Sequence, residues 1–374
     1  MKNSFSVCLK YERLIDKKMS WENNVRKVIP YVAGEQPKGK VVKLNTNEFP
    51  YAPSPKVSKR MEEIAKEELL DEKSMLRKYP DMDATKLVDA ISKVYGVPFD
   101  NIFVGVGSDD VLAMAFLTFF NSKKPILFPD ITYSFYDVWA SLFKIPFETK
   151  ALTEDFSIDI ADYKKENGGI VIPNPNAPTG VYESPEMFEE IVRDNPDSVV
   201  IIDEAYVDFG GTSCLPLIDK YDNVLVVQTL SKSRALAGLR VGVAFGSQKL
   251  IKYLKDVKFS FNSYTMNYPS IELATESVLD VTYWKETVKK VIDTREWTKK
   301  ELEKLGFSFR DSMANFIFAS HSTVPAEKIF STLRENDIYV RYFKKPRIDN
   351  YLRISIGTDE DMKKLIDTLK EILK

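Results

Sequence analysis

The sequence predicts an α/β protein, with a mostly parallel, doubly wound sheet followed by a small α+β C-terminal domain. Three observations lead there. Between Asn101 and Phe245, short apolar runs alternate with helical patterns. Several of those runs end in turns that carry a charged or hydroxyl side chain. After about Leu305 the pattern changes to short strands around two helices. A chain of 374 residues also exceeds what one core usually encloses, so more than one domain is expected.

Taken in order, residues 1–52 read as an extension and a loop-rich arm, with Ile29-Pro-Tyr31-Val-Ala-Gly34 and Leu44-Asn-Thr-Asn47-Glu-Phe-Pro50. Ser54-Pro55 opens a helix to about Leu70, and a second helix runs from near Ala84 to Tyr95. A large domain over 53–265 then takes strands at Ile102–Val104, Pro125–Phe128, Ile170–Ile172, Val199–Ile202, Val224–Val227 and Val241–Phe245. Helices at 108–120, 133–143 and about 185–193 lie between them. Residues 266–374 supply one long inter-domain helix to about Leu305, then strands near 315–318, 338–341 and 351–356 and helices at 326–336 and the C-terminus.

Composition narrows the function. A net charge of −2 argues against nucleic-acid or anionic-membrane partners. No apolar run approaches the roughly 20 residues that span a bilayer. Residues 1–18 lack the pattern of a signal peptide, and Met19 is an equally good start, so a cytoplasmic protein is expected. Cys8 and Cys214 have no metal-ligand spacing and read as reduced thiols. The single histidine, His321, removes histidine triads and histidine-rich metal sites from consideration. No metal is expected.

Chemistry gathers at the strand ends, where α/β sheets place their ligands. After Val224–Val227 a polar turn presents Lys232 between two serines, and Arg240 follows beside glycines. A partly buried amine there is able to attack a carbonyl. Asp203 closes an apolar strand, a costly place for a carboxylate unless it meets a cation, and Tyr206 lies close by. Gly105-Val-Gly107-Ser108-Asp109 joins a strand to a helix N-terminus, which favours an anion, and Ser231 and Arg240 are placed to complete that cradle. It is no dinucleotide fingerprint, since Asp110 stands where the last glycine belongs. Tyr133 begins a helix after a strand and suits ring stacking. Arg341 and Arg353 are set to clamp carboxylate or phosphate. Singly, each has a plain structural explanation, such as a solvated lysine, a capping aspartate or core aromatics. Together they match what pyridoxal phosphate requires.

From about Trp21 to the C-terminus the chain resembles the fold-type I pyridoxal-phosphate aminotransferases, especially the branch acting on histidinol phosphate. The motifs are Ile29–Gln36, Leu44–Pro50, Arg77-Lys-Tyr79-Pro80, Gly107–Asp109, Asp203-Glu-Ala-Tyr206, Thr229–Lys232 through Arg240, and Leu352-Arg353-Ile. The resemblance implies a seven-stranded sheet, pyridoxal 5′-phosphate as cofactor, and transamination of L-histidinol phosphate with 2-oxoglutarate in histidine biosynthesis. It implies that Lys232 binds the cofactor aldehyde and moves the proton, that Asp203 pairs with the ring nitrogen, and that Tyr206 meets the ring oxygen O3′. Tyr133 would stack on the ring. Ser108, Asp109, Thr229, Ser231 and Arg240 would hold the cofactor, with Tyr79 reaching its phosphate from the partner in a homodimer. Tyr31, Asn47, Arg341 and Arg353 would bind substrate. Two positions depart from the family pattern: Ala177 replaces an asparagine that contacts O3′, and Phe259 replaces a tyrosine near the substrate phosphate. Either Tyr206 carries the O3′ contact alone or Asn176 supplies it. An aminotransferase for aromatic or other amino acids and a threonine-phosphate decarboxylase remain the alternative activities.

Overall fold

The computed structural model describes residues 20–32 and 34–374. Cys8 and the extension through Lys18 lie outside them. The chain divides into two units, Met1–Val32 and Ala33–Lys374. In the first, Ser20–Asn24 forms a short 3-10 helix.

The second unit is built on two sheets. Its chain order begins with β1 (Val42–Leu44), α1 (Pro55–Glu67), α2 (Thr85–Tyr95), β2 (Ile102–Gly105), α3 (Ser108–Phe119) and β3 (Ile126–Pro129). It continues with α4 (Tyr136–Phe143), β4 (Phe147–Lys150), β5 (Gly169–Pro173), α5 (Pro185–Asp194), β6 (Val200–Asp203), β7 (Val224–Thr229) and β8 (Gly242–Gly246). Then come α6 (Gln248–Phe261), α7 (Tyr268–Leu279), α8 (Val281–Lys304), β9 (Phe307–Phe309), β10 (Phe316–His321), α9 (Ala326–Glu335), β11 (Ile338–Tyr342), β12 (Leu352–Ser355) and α10 (Asp359–Ile372).

The large sheet has seven strands in the order β2-β8-β7-β6-β5-β3-β4. All neighbouring pairs are parallel except those of β8, which runs antiparallel to β2 and β7. Its central strands are apolar throughout because both faces are covered. Ile170, Ile172, Val200, Ile202, Val224 and Val226 pack on the face covered by Val57, Leu87, Phe188 and Ile271 of α1, α2, α5 and α7. Val171, Ile201, Leu225 and Val227 alternate with them and face Phe116, Trp139 and Leu254 of α3, α4 and α6. Cutting one of these fully buried isoleucines to alanine costs about 2–5 kcal/mol.

The small sheet has the order β1-β11-β12-β10-β9. Its first strand comes from the stretch expected to be a loop-rich arm, since Val42–Leu44 pairs parallel with Ile338–Val340. The single helix expected from Met266 to Leu305 is two helices. Asp280 leaves helical geometry between them and accepts a hydrogen bond from Ser54 Oγ. The first of the two packs on the large sheet's core, the second on the small one's. The helix expected from Tyr133 begins at Tyr136, which leaves Tyr133 in the preceding turn.

Candidate active site

A cleft with about 570 Å³ of free space opens at the carboxyl ends of β5, β6 and β7. Ser108, Asp109, Tyr133, Ala177, Asp203, Tyr206, Thr229, Ser231, Lys232 and Arg240 all line it.

Lys232 follows β7 in a turn anchored on its far side. Ser233 Oγ donates to Asp208, and Arg234 donates to the Ser277 carbonyl at 2.6 Å while lying 4.6 Å from the Trp284 ring. The Lys232 amine makes one long bond, 3.4 Å to the Thr46 carbonyl, and sits 5.7 Å from the Tyr206 ring centre. A bond that long is weak, so the backbone is held and the amine is left able to move.

Asp203 ends β6 at the floor of the cleft, with Oδ2 accepting from Tyr136 Oη at 2.8 Å and Oδ1 from the Ala205 N–H at 3.2 Å. Burial pushes its pKa up to about 6 against the lowering effect of those two bonds. No lysine or arginine among the described residues forms an ion pair with it. Glu204 turns away into the protein, where it accepts from Ser213, the Cys214 N–H and Gln228, and burial raises it to about 7.

At the opposite rim, Gly107 caps α3 with φ +87°, a conformation costly for any other residue. The Arg240 guanidinium lies on that glycine, and a Cβ there would meet it at 2.5 Å. Gly242 allows β8 to approach equally closely, since a Cβ on it would lie 2.4 Å from Ser108 N. Below, Asp110 accepts from the Val106 N–H at 2.9 Å and pairs with buried Lys258 at 2.7 Å. These contacts hold the first amides of α3, Arg240, Ser231 and Thr229 around one small space. Thr229 Oγ1 accepts the Ser231 N–H at 3.1 Å. Tyr133 Oη donates to Asp109 at 2.8 Å, and the same carboxylate meets Arg240 at 3.3 Å.

Arg341 and Arg353 are direct partners across the antiparallel pair β11–β12. Both guanidinium groups lie near the Phe343 ring, at 5.4 and 5.6 Å, and Arg353 also donates to the Asn45 carbonyl at 2.9 Å. Like charges placed directly opposite each other on a strand pair are ordinarily destabilising. Asn47, just beyond β1, donates to Tyr206 Oη at 2.9 Å.

Of the residues singled out in the sequence, Asn47, Tyr79, Asn176, Arg341 and Arg353 are not among those that line this cleft. Asn176 turns its amide to the Ile131 carbonyl and Thr179, both at 3.0 Å, while Ala177 takes the lining position. Tyr79 is 82% exposed, and its ring lies tilted against that of Tyr264 with centres 4.8 Å apart. Tyr31 belongs to the separate unit Met1–Val32. Phe259 is half-buried on α6, outside the lining. Conversely, sequence reasoning passed over Tyr136 as a partner for Asp203. Its signal was a tyrosine three residues after Tyr133 in an apolar helix, where a buried hydroxyl needs an acceptor.

The family profile described as "Aminotransferase class I and II" matches residues 39–369. A histidinol-phosphate aminotransferase from Clostridium botulinum is 50% identical over 354 residues, covering 94% of this chain and 98% of that protein. One from Lactococcus lactis subsp. cremoris is 50% identical over 357 residues, covering 95% and 98%. The chain belongs to the histidinol-phosphate aminotransferases. The crystal structure of a histidinol-phosphate aminotransferase from Sinorhizobium meliloti, in complex with pyridoxal 5′-phosphate, superimposes with a TM-score of 0.79. At 20% identity over 88% of this chain and 90% of that one, it shows a shared fold. Class I and II aminotransferases depend on pyridoxal phosphate.

Proposed function

We propose that this protein transaminates L-histidinol phosphate with 2-oxoglutarate, giving imidazole-acetol phosphate and L-glutamate, as a step of histidine biosynthesis. The observation that carries the proposal is the convergence on one cleft of an amine, a buried carboxylate and an anion cradle.

Those residues fit pyridoxal phosphate. Asp203 is a buried acceptor whose ionised form has no cation paired with it among the described residues, and a protonated ring nitrogen would supply one. The α3 N-terminus, Ser231 and Arg240 offer a phosphate seat closed by glycines that leave no room for a side chain. Tyr133 offers a ring face between the two. When bound, the cofactor supplies an aldehyde for the substrate amine and a ring that withdraws electrons from the substrate Cα.

The chain's own side chains do the rest. Lys232 would hold the cofactor aldehyde and, once free, would move a proton at the substrate Cα, which its loosely held amine permits. Asp203 would pair with the protonated ring nitrogen, and Tyr136 holds Asp203 in place. Tyr206 donates to the ring oxygen. Arg353 takes the α-carboxylate of glutamate. Arg341 would take the phosphate of histidinol phosphate or the distal carboxylate of glutamate, and Asn47 and Tyr31 would contact substrate in the same scheme. The opposed arginine pair supports a substrate with two anionic ends or a dianionic one.

The working unit is a homodimer in this proposal, because Tyr79 is exposed and outside its own chain's cleft, as a residue serving a second copy would be. A cytoplasmic setting belongs to the same proposal. Among the described residues, no helix is long and apolar enough to cross a membrane. Steady-state kinetics test the substrate: kcat/KM for histidinol phosphate exceeds that for phenylalanine and tyrosine by at least tenfold, and equal or reversed values overturn it.

A further inference from the structure

We propose that Asn47 is a positioning residue for Tyr206, holding the phenol oxygen from behind so that the phenol proton points into the cleft. The inference rests on the cofactor assignment made above.

Asn47 is 1% exposed and adopts φ +56°, a left-handed conformation that asparagine tolerates better than most residues. Every polar group it has is bonded. Its N–H donates to Ser355 Oγ at 2.9 Å, and its carbonyl accepts from Asn315 Nδ2 at 3.0 Å. Its Oδ1 accepts from Ser355 Oγ at 3.0 Å, and its Nδ2 donates to Tyr206 Oη at 2.9 Å. The orientation of the amide follows from Ser355, which is itself buried. Ser355 Oγ already accepts from the Asn47 N–H, and its one proton finds an acceptor in Asn47 Oδ1. Reversing the amide would leave that buried proton with no acceptor among the described residues, at a cost of about 1–3 kcal/mol. The donating face of the amide therefore meets the tyrosine.

A phenol oxygen that accepts from Asn47 has its own proton left to donate elsewhere. The Tyr206 ring lines the cleft and packs on Ala177, Ala314 and Phe316, with the Phe316 ring edge-on at 5.1 Å. Ala177 presents only a methyl group on that side, so its side chain offers no competing donor. Tyr206 is the donor available there, and Asn47 sets its direction. Ser355 lies two residues from Arg353, on the same face of β12, so the strand that carries the carboxylate clamp also orients the phenol.

Donation to the ring oxygen stabilises its anion, so losing it raises the pH midpoint of the bound cofactor's absorbance change. The test titrates that absorbance in the holoenzyme for wild type, Asn47→Asp, Tyr206→Phe and the double variant. A carboxylate at position 47 accepts only, and draws the phenol proton away from the cleft. Asn47→Asp is expected to raise the midpoint by about one pH unit, toward the Tyr206→Phe value. In the Tyr206→Phe background the same change is expected to add little. Ser355→Ala, which frees the amide to reverse, gives a smaller shift in the same direction and serves if Asn47→Asp does not fold. An unmoved midpoint with a raised KM, the signature of a plain substrate contact, overturns the proposal. A full shift that persists in the Tyr206→Phe background also does, because it reports only the added charge. A wild type that takes up no pyridoxal phosphate overturns the cofactor assignment itself, and this inference with it.

Discussion

Replacing Gly242 with alanine probes the phosphate cradle with a known displacement. The added methyl carbon would lie 2.4 Å from both Ser108 N and the Gly107 carbonyl carbon, and 2.6 Å from the Gly107 oxygen. That is about 1 Å inside ordinary carbon contact. All three atoms are backbone, so no rotamer change relieves the clash, and β8 and the α3 N-terminus must separate by about that ångström. Overpacking of this kind costs about 1–3 kcal/mol, and the strain falls on the amides proposed to face the cofactor phosphate. At about 1.4 kcal/mol per tenfold, pyridoxal phosphate affinity should fall roughly 10- to 100-fold. Gly238→Ala is the control, because a Cβ there meets nothing within 4 Å. The assay is fluorescence titration of cofactor-free protein with pyridoxal phosphate and, separately, with pyridoxal, which lacks the phosphate. Gly242→Ala should weaken the first far more than the second, and Gly238→Ala should leave both within about twofold. Wild-type affinity in Gly242→Ala, or an equal loss for both ligands, refutes the assignment of this rim to phosphate.

Other outcomes follow from the same geometry. Lys232→Ala should remove the long-wavelength absorbance of lysine-bound cofactor and lower kcat by on the order of 10³-fold, and a retained band would point to another amine. Arg341→Ala should lower kcat/KM for histidinol phosphate about 10- to 100-fold, the worth of one or two charge-assisted bonds, and unchanged turnover removes it from the phosphate clamp. Glu204, raised from 4.5 to about 7 by burial, keeps its proton in the folded state at a pH where the unfolded chain has lost it. Its contribution is therefore complete below about pH 4.5 and lost as pH rises through about 7. Measured by denaturation of cofactor-free protein, wild type should lose about 3 kcal/mol relative to Glu204→Gln between pH 5 and pH 8. Parallel pH profiles would show that the carboxyl titrates normally.

What the sequence disclosed, and what it did not, follows from where each interaction's partners lie along the chain. Strands such as Val200–Asp203 and Val224–Thr229 are buried on both faces, so their apolar runs announced themselves. The edge strand Phe147–Lys150 carries polar, mostly exposed side chains and gave no such signal. Val42–Leu44 is only three residues long and pairs with a strand almost 300 positions later, which no local pattern encodes. The site divides the same way. Lys232, Asp203, Ser108 and Arg240 are at strand ends or beside glycines, and a parallel sheet gathers its strand ends at one edge. The groups that orient them come from elsewhere. Tyr136 reaches Asp203 across 67 residues, and Ser355 reaches Asn47 across 308. Ala177 shows why this matters. The sequence left two candidates for the ring-oxygen contact, Tyr206 alone or a shifted Asn176, and nothing in the local residues separates them. The hydrogen bonds favour the proposed Tyr206, since the Asn176 Nδ2 already donates to Ile131 and Thr179 while the Tyr206 oxygen accepts from a residue at the other end of the chain. The reactive groups are thus written in local motifs, whereas the direction in which each presents its proton depends on contacts that exist only once both sheets have formed.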